Sequence, residues 1–220
     1  MVASAPQDQP RLTPKGQATR ERILTAAAEL IAAEGLSALN MVGIRRAAAV
    51  SGSQLGHYFA DKRALLQALI ERQMQAVDFE FETFDDAERW LDQNIRTLRR
   101  TGFTGIPTYH GLAGQLAKSD DATRAALADG YRRWIVLLED AFGRMKRNGV
   151  LIEDADPREL AQVFVAAHQA GGTMAFVYRQ DWPEADALRF AVNRLRMFAA
   201  DPAERTPRPP RRPRSRRRTA

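Results

Sequence analysis

A chain of 220 residues and 24.6 kDa with no cysteine and no apolar run near the ~20 residues of a membrane span excludes disulfides, thiolate metal centres and a spanning helix. The opening Met-Val-Ala-Ser-Ala-Pro lacks the charged start and apolar middle of an export signal, so a cytoplasmic protein with no membrane partner is expected. The net charge of +6 is uneven: residues 205–220 hold eight arginines and no acid, 11–72 balance at +4 and 73–204 at −5, as suits a protein that meets phosphate with one end.

Residues 1–12 carry two prolines and few apolar side chains and read as a disordered arm. Thr19 can cap a first helix reaching Glu34, with Ile23, Leu24, Ala27, Leu30 and Ile31 on one face and Gly35 as its stop. Asn40 can cap a short second helix in which Ile44 and Ala47/Ala48 are the inner face and Arg45 and Arg46 point outward. Ala49-Val50 turns the chain, and Ser51 caps a third helix through Tyr58 or Phe59. Two short helices joined by so tight a turn form a helix-turn-helix. Small residues at the start of the second, here Gly52, Ser53 and Gln54, let it approach base edges in a major groove.

Asp61 caps the next helix, whose Leu65, Leu66, Leu69 and Ile70 share a stripe and lead from head to body. Phe79, Phe81 and Phe84 end one helix and anchor the next, which opens on the pair Asp85 and Glu88 and turns Trp90, Leu91, Ile95 and Leu98 inward as far as Arg100. Gly102 to Gly114 is too punctuated for more than a short or broken helix. A long helix follows from Asp121 to Asn148, closed by Gly149. Pro157 starts a helix to Arg179 that is apolar nearly all round and so must be covered on both sides, with Gly171-Gly172 open to a second subunit. Pro183 opens a last helix with Leu188, Ala191, Val192, Leu195 and Phe198 in one stripe, and the final two helices are the expected homodimer contact. Proline and arginine from Asp201 onward cannot form a core.

The stretch 40–62 resembles the recognition motif of the TetR family of transcriptional regulators. Val50-Ser51, Tyr58-Phe59 and Lys62 match it, and Thr13-Pro14-Lys15-Gly16 with Thr19-Arg20, Ile23-Leu24, Ala27, Leu30 and Gly35 resembles the family's first helix. Ala49 and Ser53 stand where the family has Gly, and Gly56 where it has a Tyr that braces the recognition helix. The resemblance covers about residues 13–70. It implies an all-α fold: residues 13–62 as a three-helix DNA-binding domain, 63–200 as a helical ligand-binding and dimerisation domain, and 201–220 as an Arg/Pro-rich disordered tail. It also implies a repressor that binds a palindromic operator as a homodimer and is released by a small molecule.

Expected phosphate contacts are Arg45, Arg46, Tyr58 and Lys62, with Lys15 and Thr19 behind them; Ser51, Gly52, Ser53, Gln54 and His57 are the expected groove-facing set. The implied effector pocket would draw on Trp90, Phe103, Tyr109, His110, Trp134, Leu138, His168, Gln169 and Met174, apolar walls with a few polar groups. His57, His110 and His168 lie on separate segments and no nucleophile has a base and acid beside it, so no metal, cofactor or enzymatic activity is expected. Two other readings stay open: a sequence-tolerant, nucleoid-type DNA binder using the Arg-rich tail, and a helical ligand-binding protein whose head has weakened for DNA at Gly56.

Overall fold

The computed structural model describes residues 12–75, 79–103, 113–114, 116–118 and 120–205. Among them eight helices are delimited and no strand is formed, so the fold is all-α as expected. They are α1 (Pro14–Glu34), α2 (Met41–Ala47), α3 (Gly52–Tyr58), α4 (Lys62–Gln75), α5 (Phe84–Arg100), α6 (Asp121–Arg147), α7 (Pro157–Tyr178) and α8 (Trp182–Arg196). The chain divides into two compact units between Leu69 and Ile70, inside α4 and a little beyond the boundary read from sequence.

In the N-terminal unit the caps mostly follow local sequence. Asn40 Oδ1 accepts from Gly43 N at 2.8 Å, Ser51 Oγ from Gln54 N at 3.1 Å, and Asp61 Oδ1 from Ala64 N at 2.8 Å. The first helix differs from expectation: it starts six residues earlier, capped by Thr13 instead of Thr19, with Thr13 Oγ1 accepting from Gly16 N and Pro14 in the first turn. Thr19 lies within it and donates its hydroxyl back to Lys15 O. Ile23, Leu24, Ala27 and Ile31 of α1 are buried, as are Ile44, Ala48, Leu55 and Phe59, whereas Ala47 faces solvent.

The turn between α2 and α3 closes as a left-handed helix end. Val50 N donates to Arg45 O and Ala49 N to Arg46 O, with Ala49 at φ 51°. An L-residue with a Cβ is strained there, by ~1–2 kcal/mol. Ala49→Gly is therefore expected to stabilise the protein by about 0.5–1 kcal/mol, after the glycine's greater freedom in the unfolded chain is offset; urea unfolding of the two chains measures it.

In the C-terminal unit, Thr83 rather than Asp85 caps α5. It pairs reciprocally with Asp86, whose Oδ2 accepts from Thr83 N at 2.7 Å, so the capping box begins two residues before the expected pair. Phe79 and Phe81 precede the helix and are buried with Phe84. Phe81, Phe142 and Phe164 meet with ring centroids 6.0–6.2 Å apart, joining the α5 approach to α6 and α7. Arg196 at the end of α8 is buried, bonded to Glu88 Oε1 at 2.7 Å and lying over the Phe84 ring. A bridge between Leu151 and Ala199 fastens the segment after α8 to the α6–α7 connection.

The glycine pair of α7 does not face outward. Gly171 and Gly172 are buried, and a Cβ on Gly171 would stand 2.8 Å from the Glu184 Cα and 2.9 Å from the Ala187 Cβ. Close approach at this point is to α8 of the same chain. The far side of α7 is exposed among the described residues at Met174, Val177 and Tyr178, as are Trp182 and Phe190 of α8 and Met197 just after it.

Candidate nucleic-acid interface

Alpha-3 is seven residues long, too short to hold itself together in isolation, and its stability comes from its cap and one buried side chain. Ser51 and Gln54 form a capping box: Gln54 Oε1 accepts from Ser51 N at 3.0 Å while Ser51 Oγ accepts from Gln54 N. Leu55 is the anchor, buried in the N-terminal unit. Gly52, Ser53, Gln54, Gly56 and His57 are all exposed, so the groove-facing set read from sequence lies on one open surface. The capping role of Gln54 occupies its carbonyl oxygen and leaves its amide N–H groups for any other partner.

The expected phosphate contacts flank that surface. Arg45 and Arg46 are exposed on the last turn of α2, with the Arg45 guanidinium beside Gly52. Tyr58 is half-buried, its ring edge-on to His57 at 5.0 Å and its hydroxyl near Gly16 at the start of α1. Lys62 Nζ donates to Leu36 O at 3.4 Å, which draws its ammonium back toward the 3₁₀ turn at 36–38. Lys15 is exposed and Thr19 half-buried. At Gly56 a Cβ would meet nothing within 4 Å, so the fold has room for the aromatic that the resemblance implies there.

The body gathers some of its expected ligand residues and disperses others. Trp90, Trp134 and His168 come together, with ring centroids 5.2 Å from Trp90 to His168 and 5.7 Å from Trp134 to His168. Leu138 is fully buried, and Gln169 is half-buried next to His168 in sequence. Phe103 sits in the turn after α5 at φ 58°, its carbonyl accepting from Arg179. Met174 is 42% exposed and belongs to the outer side of α7, not to the interior. Tyr109 and His110 lie outside the described residues.

One residue of this interior escapes a reading of the sequence. Glu184, in the first turn of α8, is 1% exposed, and its Oε1 lies 2.5 Å from His168 Nδ1. Burial raises its carboxyl to about 9 and lowers the His168 imidazole to about 4, so the pair shares one proton without net charge. An acid just after Pro183 is the ordinary composition of an exposed helix start, and that masked it. Beside this interior a cleft of about 400 Å³ opens, lined by Glu80, Phe81, Asp86, Arg89 and Trp90.

Comparison with known proteins places this geometry. Residues 23–69 match the family model of bacterial regulatory proteins, tetR family. The HTH-type transcriptional regulator UidR of Escherichia coli (strain K12) is 30% identical over 84 residues, which are 38% of this chain and 43% of UidR, so the chain spans less than half of that relative. The HTH-type transcriptional repressor NemR of the same strain is 25% identical over 184 residues, 80% of this chain and 92% of NemR. Among solved structures, the regulatory protein TetR from Rhodobacter sphaeroides superposes with a TM-score of 0.69 at 21% identity, over 79% of this chain and 97% of that one. Reduced E. coli NemR superposes with a TM-score of 0.67 at 22% identity, over 79% and 95%. The two structures share the fold: an N-terminal helix-turn-helix followed by a helical body.

Proposed function

We propose that this chain, a member of the TetR family of bacterial transcriptional regulators, represses transcription by binding a near-palindromic operator as a homodimer and leaves it when a small molecule enters the helical body. The observation that carries the reading is the exposed start of α3, capped by Ser51 and flanked by Arg45 and Arg46, within the segment the family model covers. A helix that begins with small exposed residues and is bordered by guanidinium groups suits a major groove and its phosphates.

Dimerisation is supported by the uncovered apolar set on α7 and α8: Met174, Val177, Tyr178, Trp182 and Phe190. Exposed apolar residues in such a cluster, unlike single ones, mark an interaction surface. A two-fold contact there would fix the separation of two heads, and a ligand acts by preferring the separation that does not fit DNA. No cysteine occurs in these 220 residues, so the trigger is not thiol oxidation within them. Among the described residues no group of three metal-ligating side chains is assembled and no helix is long and apolar enough to cross a membrane.

Selection of bound sites from random duplexes tests the reading in one experiment. Inverted repeats with half-site centres about 34–36 Å apart are expected. In the same assay Arg46→Ala should weaken specific and random DNA alike and reduce the salt slope by about 1, because a phosphate contact carries no sequence information. Enrichment of no site, or of a single unrepeated half-site, would rule out the dimeric operator.

A further inference from the structure

Gln54 is exposed on α3, but its amide is not free to turn. The side chain folds back on the first turn, where Oε1 accepts from Ser51 N at 3.0 Å. That partner is itself an N–H donor, so the atom facing it is the carbonyl and the amide nitrogen points elsewhere. Ser51 completes the box by accepting from Gln54 N at 3.1 Å, and its Oγ is also 3.0 Å from Ser53 Oγ. Leu55 is the only buried side chain of this seven-residue helix, so the box is much of what holds its first turn.

Glutamine reads adenine by using both ends of its amide at once, the carbonyl on the N6 amine and the nitrogen on N7. That pairing needs the whole edge of the amide turned toward the base, and here the oxygen end is held on the protein's own backbone. Releasing it would leave Ser51 N unpaired in a groove that shuts out water. With the cap intact, Gln54 offers donors only, the two hydrogens on Nε2. The surroundings have the same sign. No carboxylate occurs from Asn40 to Tyr58, Arg45 Nη1 stands 3.8 Å from where a Gly52 Cβ would be, and Asn40 Oδ1 is bonded to Gly43 N. Among major-groove base edges, guanine alone presents two adjacent acceptors, O6 and N7. Adenine sets an amine beside its N7, cytosine presents an amine, and thymine offers one oxygen next to a methyl group.

We propose that Gln54 is a guanine reader: Oε1 stays in the cap while Nε2 donates to O6 and N7 of one guanine in each half-site, which rests on the reading that α3 enters a major groove. One end of the side chain holds the first turn of the helix and the other end meets the base. Because the cap orients the amide before DNA arrives, little rotamer freedom is lost on binding. Adenine is excluded by the same geometry, since its N6 amine would meet the Gln54 amine donor to donor.

Site selection from random duplexes with the full chain, repeated with Gln54→Glu and Gln54→Met, tests this. Glutamate is an ordinary member of such a box, so Gln54→Glu keeps the cap and exchanges the donors for acceptors. One position per half-site is expected to be guanine with the natural chain and cytosine with Gln54→Glu, whose carboxylate accepts from the cytosine amine; with Gln54→Met its preference is lost. At that position adenine should bind the natural chain about tenfold more weakly than guanine. Replacing that guanine by 7-deazaguanine, which lacks the N7 acceptor, should weaken binding, and replacing it by inosine, which keeps O6 and N7, should not. Circular dichroism confirms that each variant is folded; if Gln54→Glu is not, Gln54→Met and the two base analogues on the natural chain decide. Any base but guanine at the position that responds, no position responding to either variant, or undiminished binding of the 7-deazaguanine duplex would each overturn the assignment. Selection of no site at all would remove the operator reading and this assignment with it, whereas a selected palindrome with adenine at the Gln54 position removes the assignment alone.

Discussion

Gly171→Ala is expected to lower stability by about 2 kcal/mol although alanine is the better helix former. At an exposed helical site the exchange gains ~1 kcal/mol. Here the new Cβ would lie 2.7 Å from Glu184 Oε2, 2.8 Å from the Glu184 Cα and 2.9 Å from the Ala187 Cβ. A backbone atom is among the three, so no rotamer change relieves the contact and α7 and α8 must separate. Forced insertion into a packed core costs ~1–3 kcal/mol, and the same shift stretches the buried His168–Glu184 hydrogen bond, where such a bond contributes ~0.5–1.5 kcal/mol. The costs outweigh the propensity gain. Gly143→Ala in α6 is the control of opposite sign, because its Cβ would meet only the flexible end of Arg147 at 3.3 Å. Urea unfolding of both variants measures the difference, and a Gly171→Ala chain as stable as the parent would mean that the α7–α8 crossing is looser than it stands here.

The second large effect is a pH dependence set by the same pair. In the unfolded chain the Glu184 carboxyl titrates near 4.5 and the His168 imidazole near 6.5; in the folded chain burial moves the pair apart, to about 9 and about 4. Between pH 4.5 and 6.5 folded and unfolded forms each hold one proton on the pair, so its contribution is level. Above 6.5 the unfolded chain releases its proton and the folded one keeps it up to about 9. Stability therefore falls as pH rises through that window, with a slope approaching ~1.4 kcal/mol per pH unit. Below 4.5 the unfolded chain gains a second proton before the folded one does, and a smaller loss appears down to about pH 4. The two steps belong to the pair and hold whichever partner carries the proton. Urea midpoints at pH 6, 7, 8 and 9 should decline in the natural chain and flatten above pH 6.5 in Glu184→Gln.

Much of the molecule is written locally. Gly35 ends α1 at φ 84°, Asn40, Ser51 and Asp61 cap the helices that follow them, and Asp121–Arg147 is one helix with Asn148 as its C-cap, because a cap or a stop needs only the side chain and the backbone three residues away. The exposed surface of α3 was legible for the same reason: a helix of seven residues with one large apolar side chain, Leu55, has a single way to turn. Where two caps compete over a few residues, as Thr13 with Thr19 and Thr83 with Asp85, local signals fix the helix but not its first turn.

The body was different. A helix as apolar as α7 has no periodicity to say which side meets the core, so only packing decides that Gly171 faces α8 while Met174 and Val177 face outward. Glu184 is the sharpest case. Sequence alone makes it a solvated acid at a helix start, and it becomes a buried partner of His168 only because α7 and α8 cross at a residue with no side chain. Contacts within one turn are fixed by the chain's own geometry, whereas contacts between helices depend on which surfaces the whole core leaves free, and no short stretch of residues holds that information.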